Sequence, residues 1–213
     1  MTEETATEAT ETEMAEPYGA VAIIGWGSLI WDLELLAPHV RQPWMHRAGP
    51  VLPMEFTRIS PKRMGALAVC LDQTHGVTCD TCVIQSTRGD LMEAREDLAR
   101  RERTPAGNIG AVCTKTHFSA GRPQIAWLVM QWCMHSPYAG AVWTDIGPNF
   151  AQSQGEEFSV AGGLAYLKSL KGESLDSAVR YIKLAPVSTD THLRLALRDD
   201  PWWQDQCERL GLS

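Results

Sequence analysis

A carboxylate that continues an apolar helical stripe is the first feature of this chain with the makings of chemistry. From Asp90 to about Arg103 the pattern predicts a helix, with Asp90 as N-cap and Thr104-Pro105-Ala106-Gly107 closing it. On a 3.6-residue period Leu91, Leu98 and Glu102 share one face, with Ala94 and Arg95 beside them. Glu93 and Glu96 fall on other faces. A carboxylate on a buried stripe needs a task or a partner. In the last turn, the helix dipole and burial both disfavour its charge, which suits a general base that later returns its proton. The alternative is a structural ion pair with Arg101, Arg103 or Arg58.

The second feature is Gly25-Trp26-Gly27-Ser28-Leu29, at the exit of a buried apolar strand. Glycines there permit a sharp turn and close approach of a ligand to the backbone. The following N–H groups offer an anion site for a carboxylate or phosphate. The dinucleotide pattern fails because Ile30 occupies its last glycine position, the phosphate-loop lysine is missing, and Ser28 is not in a hydrolase elbow. A plain tight turn is the other reading. The third feature is Cys70-x4-His75-x3-Cys79-x2-Cys82, a candidate zinc quartet of three thiolates and one imidazole. Its weakness is that Cys79 and Cys82 point to opposite faces if their strand is regular. His39, His46, His117, His135 and His192 show no ligand spacing.

These residues need elements to position them. Strand-like runs are Val21–Trp26, Leu52–Ile59, Ala66–Leu71, Val77–Ile84, Gly110–Phe118 and Ile125–Met134. A short helix is expected from Ile30 to Ala37, stopped by Pro38. Helical segments follow at Glu156–Leu170, Ser174–Leu184, Thr189–Leu197 and Pro201–Leu210, the last with Asp200 before it and Gly211 after it. An amphipathic final helix would bury one of Trp202 and Trp203. Strands first and helices last predict an α+β fold with a mixed, barrel-like sheet, rather than a doubly wound one.

The chain of 213 residues suits one sizeable domain, with 44% hydrophobic and 21% charged residues. Its formal charge is −7, but Glu3, Glu4, Glu8, Glu11, Glu13 and Glu16 supply most of that. Residues 1–16 read as a disordered acidic tail, and residues 17–213 as the domain, with a core over 20–135 and a helical part over 150–213. The nearly neutral remainder gives no electrostatic case for nucleic acid. No apolar run nears the ~20 residues of a membrane span, and no secretory signal is evident, so a cytoplasmic protein with reduced thiols is expected.

Together, the loop and the acid resemble the γ-glutamylcyclotransferase superfamily. Its members carry a Tyr-Gly-Ser-Asn-Leu or Gly-Tyr-Gly-Ser-Leu-Ile-Trp loop after the first strand, and later a helix ending Leu-x-x-Arg-Glu. Here the counterparts are Gly25-Trp26-Gly27-Ser28-Leu29-Ile30-Trp31 and Leu98-Ala99-Arg100-Arg101-Glu102. Phe56-Thr57-Arg58-Ile59-Ser60 is similar to the second-strand region of the ChaC branch. Ile125-Ala126-Trp127-Leu128 is similar to a later strand bearing a pocket aromatic, and Tyr181-Ile182-x-x-Ala185-Pro186 to a helical-tail element. Trp26 and Trp127 stand where tyrosine is usual, and Gly107-Asn108-Ile109 where Gly-Gly-Tyr often follows the glutamate.

The resemblance implies a largely antiparallel barrel-like fold and release of 5-oxoproline from a small γ-glutamyl amine or peptide. It implies Glu102 as acid and base, a substrate site at Gly25, Trp26, Gly27, Ser28, Leu29, Arg58 and Trp127, and no cofactor or metal. A non-catalytic binding or interaction protein on the same fold is the competing expectation.

Overall fold

The computed structural model describes residues 19–212; the expected acidic tail lies outside the described residues. Strand β1 (Val21–Gly25) is buried throughout, and the packing explains its unbroken apolar sequence. Val21 and Ile23 face one core, while Ala22, Ile24 and the following Trp26 face another. A strand covered on both sides has no polar face to offer.

The elements after β1 are strands β2 (Val40–Met45), β3 (Leu52–Ser60), β4 (Ala66–Leu71), β5 (Val77–Cys79) and β6 (Cys82–Ser86), then helix α1 (Leu91–Glu102). Strands β7 (Ile109–Cys113) and β8 (Phe118–Ala120), helix α2 (Pro123–Met134) and strand β9 (Gly140–Thr144) complete the sheets. Helices α3 (Phe150–Gln154), α4 (Val160–Ser169), α5 (Gly172–Leu184), α6 (His192–Arg198) and α7 (Pro201–Arg209) follow.

The architecture is α+β. Six strands form a mixed sheet in the order β2-β6-β1-β9-β7-β8, with β1 and β9 parallel and the other neighbours antiparallel. Three more form an antiparallel sheet, β4-β3-β5. The expected barrel is not closed, since β2 and β8 remain as edges of the large sheet. One expected strand, Val77–Ile84, is in fact two strands in different sheets. The chain crosses between them at Asp80-Thr81, where the buried Thr81 hydroxyl donates to the Pro50 carbonyl at 2.7 Å.

Helix α1 covers one face of the large sheet with Ala94, Leu98 and Ala99. Helix α2 covers the other face, and the small sheet and the C-terminal helices extend that second core. The run Ile125–Met134 is therefore helix, not strand. Pro123 starts it, and Ile125, Ala126, Val129 and Cys133 recur with helical spacing toward the core. The carboxylate of Glu55 ties the small sheet to α6. It is fully buried and accepts from the backbone N–H groups of Phe56 (2.8 Å) and Leu193 (3.3 Å).

Two unexpected charged residues are buried on α1, Asp97 and Arg101. Asp97 anchors the helix that carries Glu102. It accepts from Arg88 Nε at 2.7 Å, pairs with Arg100, and lies 3.7 Å from His39 Nε2. Burial alone would raise this carboxyl, but the Arg88 and Arg100 hydrogen bonds and His39 outweigh it and hold it below its ordinary value. Asp97→Asn is expected to cost about 2 kcal/mol at neutral pH, because Arg88 keeps some solvent when its partner is lost. A depressed carboxyl stabilises above the unfolded value of about 3.9 and stops doing so as pH falls through the folded value. Thermal melts of variant and wild type should therefore differ at pH 7 and converge below about pH 4.

Candidate active site

Strand β1 delivers the chain to a short turn of 3-10 helix, Gly27–Ile30, and in place of the helix expected over Ile30–Ala37 there is a second 3-10 segment, Glu34–His39, which Pro38 does not stop. Trp31 and Asp32 both donate from their backbone N–H to the Ser28 carbonyl, at 3.3 and 2.9 Å, which closes the turn tightly. Gly25 is glycine for space, since a Cβ there would strike the indole of Trp44. Gly27 has φ +55° and backs onto the hydroxyl of Tyr181, which fills the position a Cβ would need.

Beside this turn lies a cavity of about 250 Å³. Gly25, Trp26, Ser28 and Leu29 contribute to its wall, and so do Arg58 and Glu102. Gly27 sits behind the wall, not on it. Thr144, at the end of β9, also borders the cavity, so it opens beyond the carboxyl ends of the two parallel strands. Such strand ends, where loops diverge, are a common place for ligands in sheets covered by helices.

Glu102 is the last residue of α1, and Arg103 follows in a left-handed conformation (φ 53°) that stops the helix. Its side chain is 17% exposed, and Oε1 accepts from Arg101 Nη1 at 2.6 Å. The ion pair named as the structural alternative is thus present. It exists together with the cavity, and Glu102 Oε2 has no hydrogen-bond partner among the described residues. Arg101 Nη2 reaches the Asp32 carbonyl at 2.6 Å and the Ser28 hydroxyl at 3.4 Å. One buried guanidinium therefore links the loop serine to the acid and fixes their separation.

Tyr181, from α5, also lines the cavity, and no role was expected of it from sequence. Its ring packs edge-on to Phe56 and Trp31 and lies under the Arg63 guanidinium at 4.3 Å. Burial pushes its hydroxyl up to about 12, so it is a neutral donor at physiological pH. That hydroxyl has no hydrogen-bond partner among the described residues.

Other expected residues lie elsewhere. Trp127 is 61% exposed on α2 and does not border the cavity, because the helix turns its neighbours inward and Trp127 outward. The zinc quartet is dispersed. Cys70 Sγ contacts Thr57 Oγ1 at 3.4 Å, His75 pairs with Asp72 at 3.3 Å, and Cys82 Sγ contacts His46 Nδ1 at 3.3 Å. Cys79 lies in the small sheet and Cys82 in the large one. Among the described residues no group of three or more His, Cys, Asp or Glu side chains could hold a metal ion. All six cysteines are free and buried, and no helix among the described residues is long and apolar enough to cross a membrane.

The fold and site define an α+β protein with an open mixed sheet and a small cavity where a glycine turn meets a carboxylate. Comparison with protein-family models, curated proteins and solved structures finds no match.

Proposed function

We propose that the chain is a γ-glutamylcyclotransferase-like enzyme, which releases 5-oxoproline and a free amine or amino acid from a small γ-glutamyl compound. The observation that carries this reading is the shared cavity of Ser28, Leu29 and Glu102, with Arg101 bonded to both Ser28 and Glu102. The resemblance of the two motifs is its second support.

The substrate's α-amine attacks its own γ-carbonyl carbon. A C–N bond forms to close the five-membered ring, and the bond to the leaving amine then breaks. Because the attack is intramolecular, the protein has only to fold the substrate and move protons. Glu102 Oε2 takes the proton from the attacking ammonium and returns it to the leaving nitrogen, while Arg101 holds Oε1 in place. Backbone N–H groups of Ser28 and Leu29 and the neutral Tyr181 hydroxyl are the donors for a substrate carboxylate or the developing oxyanion, each commonly worth a few kcal/mol. Ser28 is a hydrogen-bonding residue in this reading, since its hydroxyl faces the Arg101 guanidinium at 3.4 Å and has no hydrogen bond to a side-chain base among the described residues.

A panel of γ-glutamyl peptides and γ-glutamyl amines, assayed for 5-oxoproline, tests the reading. Release from at least one compound, at a rate proportional to protein, is the expected result. A chain that binds members of the panel without releasing 5-oxoproline from any is a binding protein, the second reading. The Arg101–Glu102 pair is the observation that favours that alternative, because it gives the acid a structural partner.

A further inference from the structure

We propose that the cavity contains a second anion subsite, formed by Arg58 and Arg63, and that its ligand carries two acidic groups. The argument begins with charge. Arg58, Lys62, Arg63, Arg101 and Arg103 all border the cavity, against the single carboxylate of Glu102. Three of the five cations are already matched. Arg101 pairs with Glu102, and Lys62 and Arg103 share Glu34, at 3.4 and 3.1 Å.

Arg58 and Arg63 have no such partner. Arg58 Nη1 donates to the Gly147 carbonyl at 2.9 Å, and Arg63 lies over the Tyr181 ring. Neither contact brings a negative charge, and neither residue has a carboxylate partner among the described residues. Both are half-buried, and both border a hollow smaller than most ligand pockets. Two guanidinium groups that border one small hollow without a counter-charge make its potential positive, and an anion bound there offsets it while taking their forked donors.

The loop amides and Tyr181 serve one acidic group, and this pair serves the other. A carboxylate or a phosphate supplies the same chemistry. The subsite itself needs no assumption about the reaction. Assigning its occupant to the leaving amine rests on the cyclisation proposed above.

Calorimetric titration of the whole chain at low ionic strength provides the test. Glutarate and pyrophosphate are the probes with two acidic groups, and butyrate, which is glutarate without one carboxylate, is the monoanionic control. At least one of the two probes should bind about tenfold or more tightly than butyrate, and which one does identifies the preferred acid. The preference should weaken with added salt, as exposed charge pairs do. Arg63→Gln should remove most of it with little change in melting temperature, because Arg63 makes no hydrogen bond among the described residues. Arg63→Lys should restore part of it. If neither probe outbinds butyrate, or if Arg63→Gln keeps the preference, the subsite does not exist. A chain with the preference that frees no 5-oxoproline from any γ-glutamyl compound retains the subsite and loses the cyclisation.

Discussion

Glu102→Gln is expected to fold as the wild type does and to lose at least about 100-fold in kcat on any accepted γ-glutamyl compound. Glutamine keeps an oxygen for the 2.6 Å contact with Arg101 Nη1, so the geometry of the turn and the helix end survives. What it removes is the ability to hold a proton between the attacking and leaving nitrogens. KM should change little, because the groups proposed to bind substrate are elsewhere on the wall. The assay is steady-state 5-oxoproline release, with a thermal melt as the folding control. Retention of most of the wild-type rate would show that Glu102 is only the counter-charge of Arg101.

The contrast with Glu102→Ala separates the two roles of the carboxylate. Both variants remove the counter-charge of the buried Arg101, whose Nε is already unpartnered, but glutamine keeps a hydrogen-bond acceptor for Nη1 and alanine does not. Loss of one partner from a buried pair costs several kcal/mol. The glutamine variant should therefore melt modestly lower than wild type, and the alanine variant lower still.

Much of the secondary structure is legible in the residues. Ala66–Leu71 is strand as expected, and α1 begins after its Asp90 cap, whose side chain accepts from Met92 and Glu93 backbone N–H groups. Asp200 caps α7 in the same way, and Trp203 is buried while Trp202 is only partly so. What the sequence conceals is pairing. Val77–Ile84 looks like one strand because apolar residues persist through a change of sheet. Val40–Met45 does not look like a strand because it contains Pro43, which is tolerated there since β2 is an edge. Ile125–Met134 is so uniformly apolar, interrupted only by Gln131, that its helical period is masked.

The cavity was legible where local sequence decides geometry. The glycines of 25–29 announce a turn, and the stripe on α1 announces an inward carboxylate. Arg101 was foreseen only as one possible partner for Glu102, because its burial depends on a carbonyl and a hydroxyl from residues 32 and 28. Tyr181 is more than 150 positions from the loop in the chain. It arrives because α5 packs against β4 and the 3-10 turn, a tertiary fact with no periodic trace.

That distant contact makes Gly27→Ala the most severe single change expected in the loop. At φ +55° an L-residue is strained by roughly 1 kcal/mol. The added Cβ would also overlap the Tyr181 hydroxyl, and overpacking of this kind typically costs about 1–3 kcal/mol. The two contributions predict a melting temperature lower by roughly 4–16 °C in a domain of this size, with loss of any activity that needs the loop. They can be separated experimentally. Tyr181→Phe removes the overlapping oxygen, and it should be nearly neutral for stability alone because that hydroxyl has no partner among the described residues. In the Gly27→Ala, Tyr181→Phe double variant the steric part should be recovered and the backbone strain should remain, so about half to three quarters of the lost melting temperature returns. If the double variant melts no higher than Gly27→Ala alone, then Tyr181 does not back the loop, and the cavity wall is wrong at its tightest point. If stability returns while turnover stays low, the Tyr181 hydroxyl is itself one of the donors on which turnover depends.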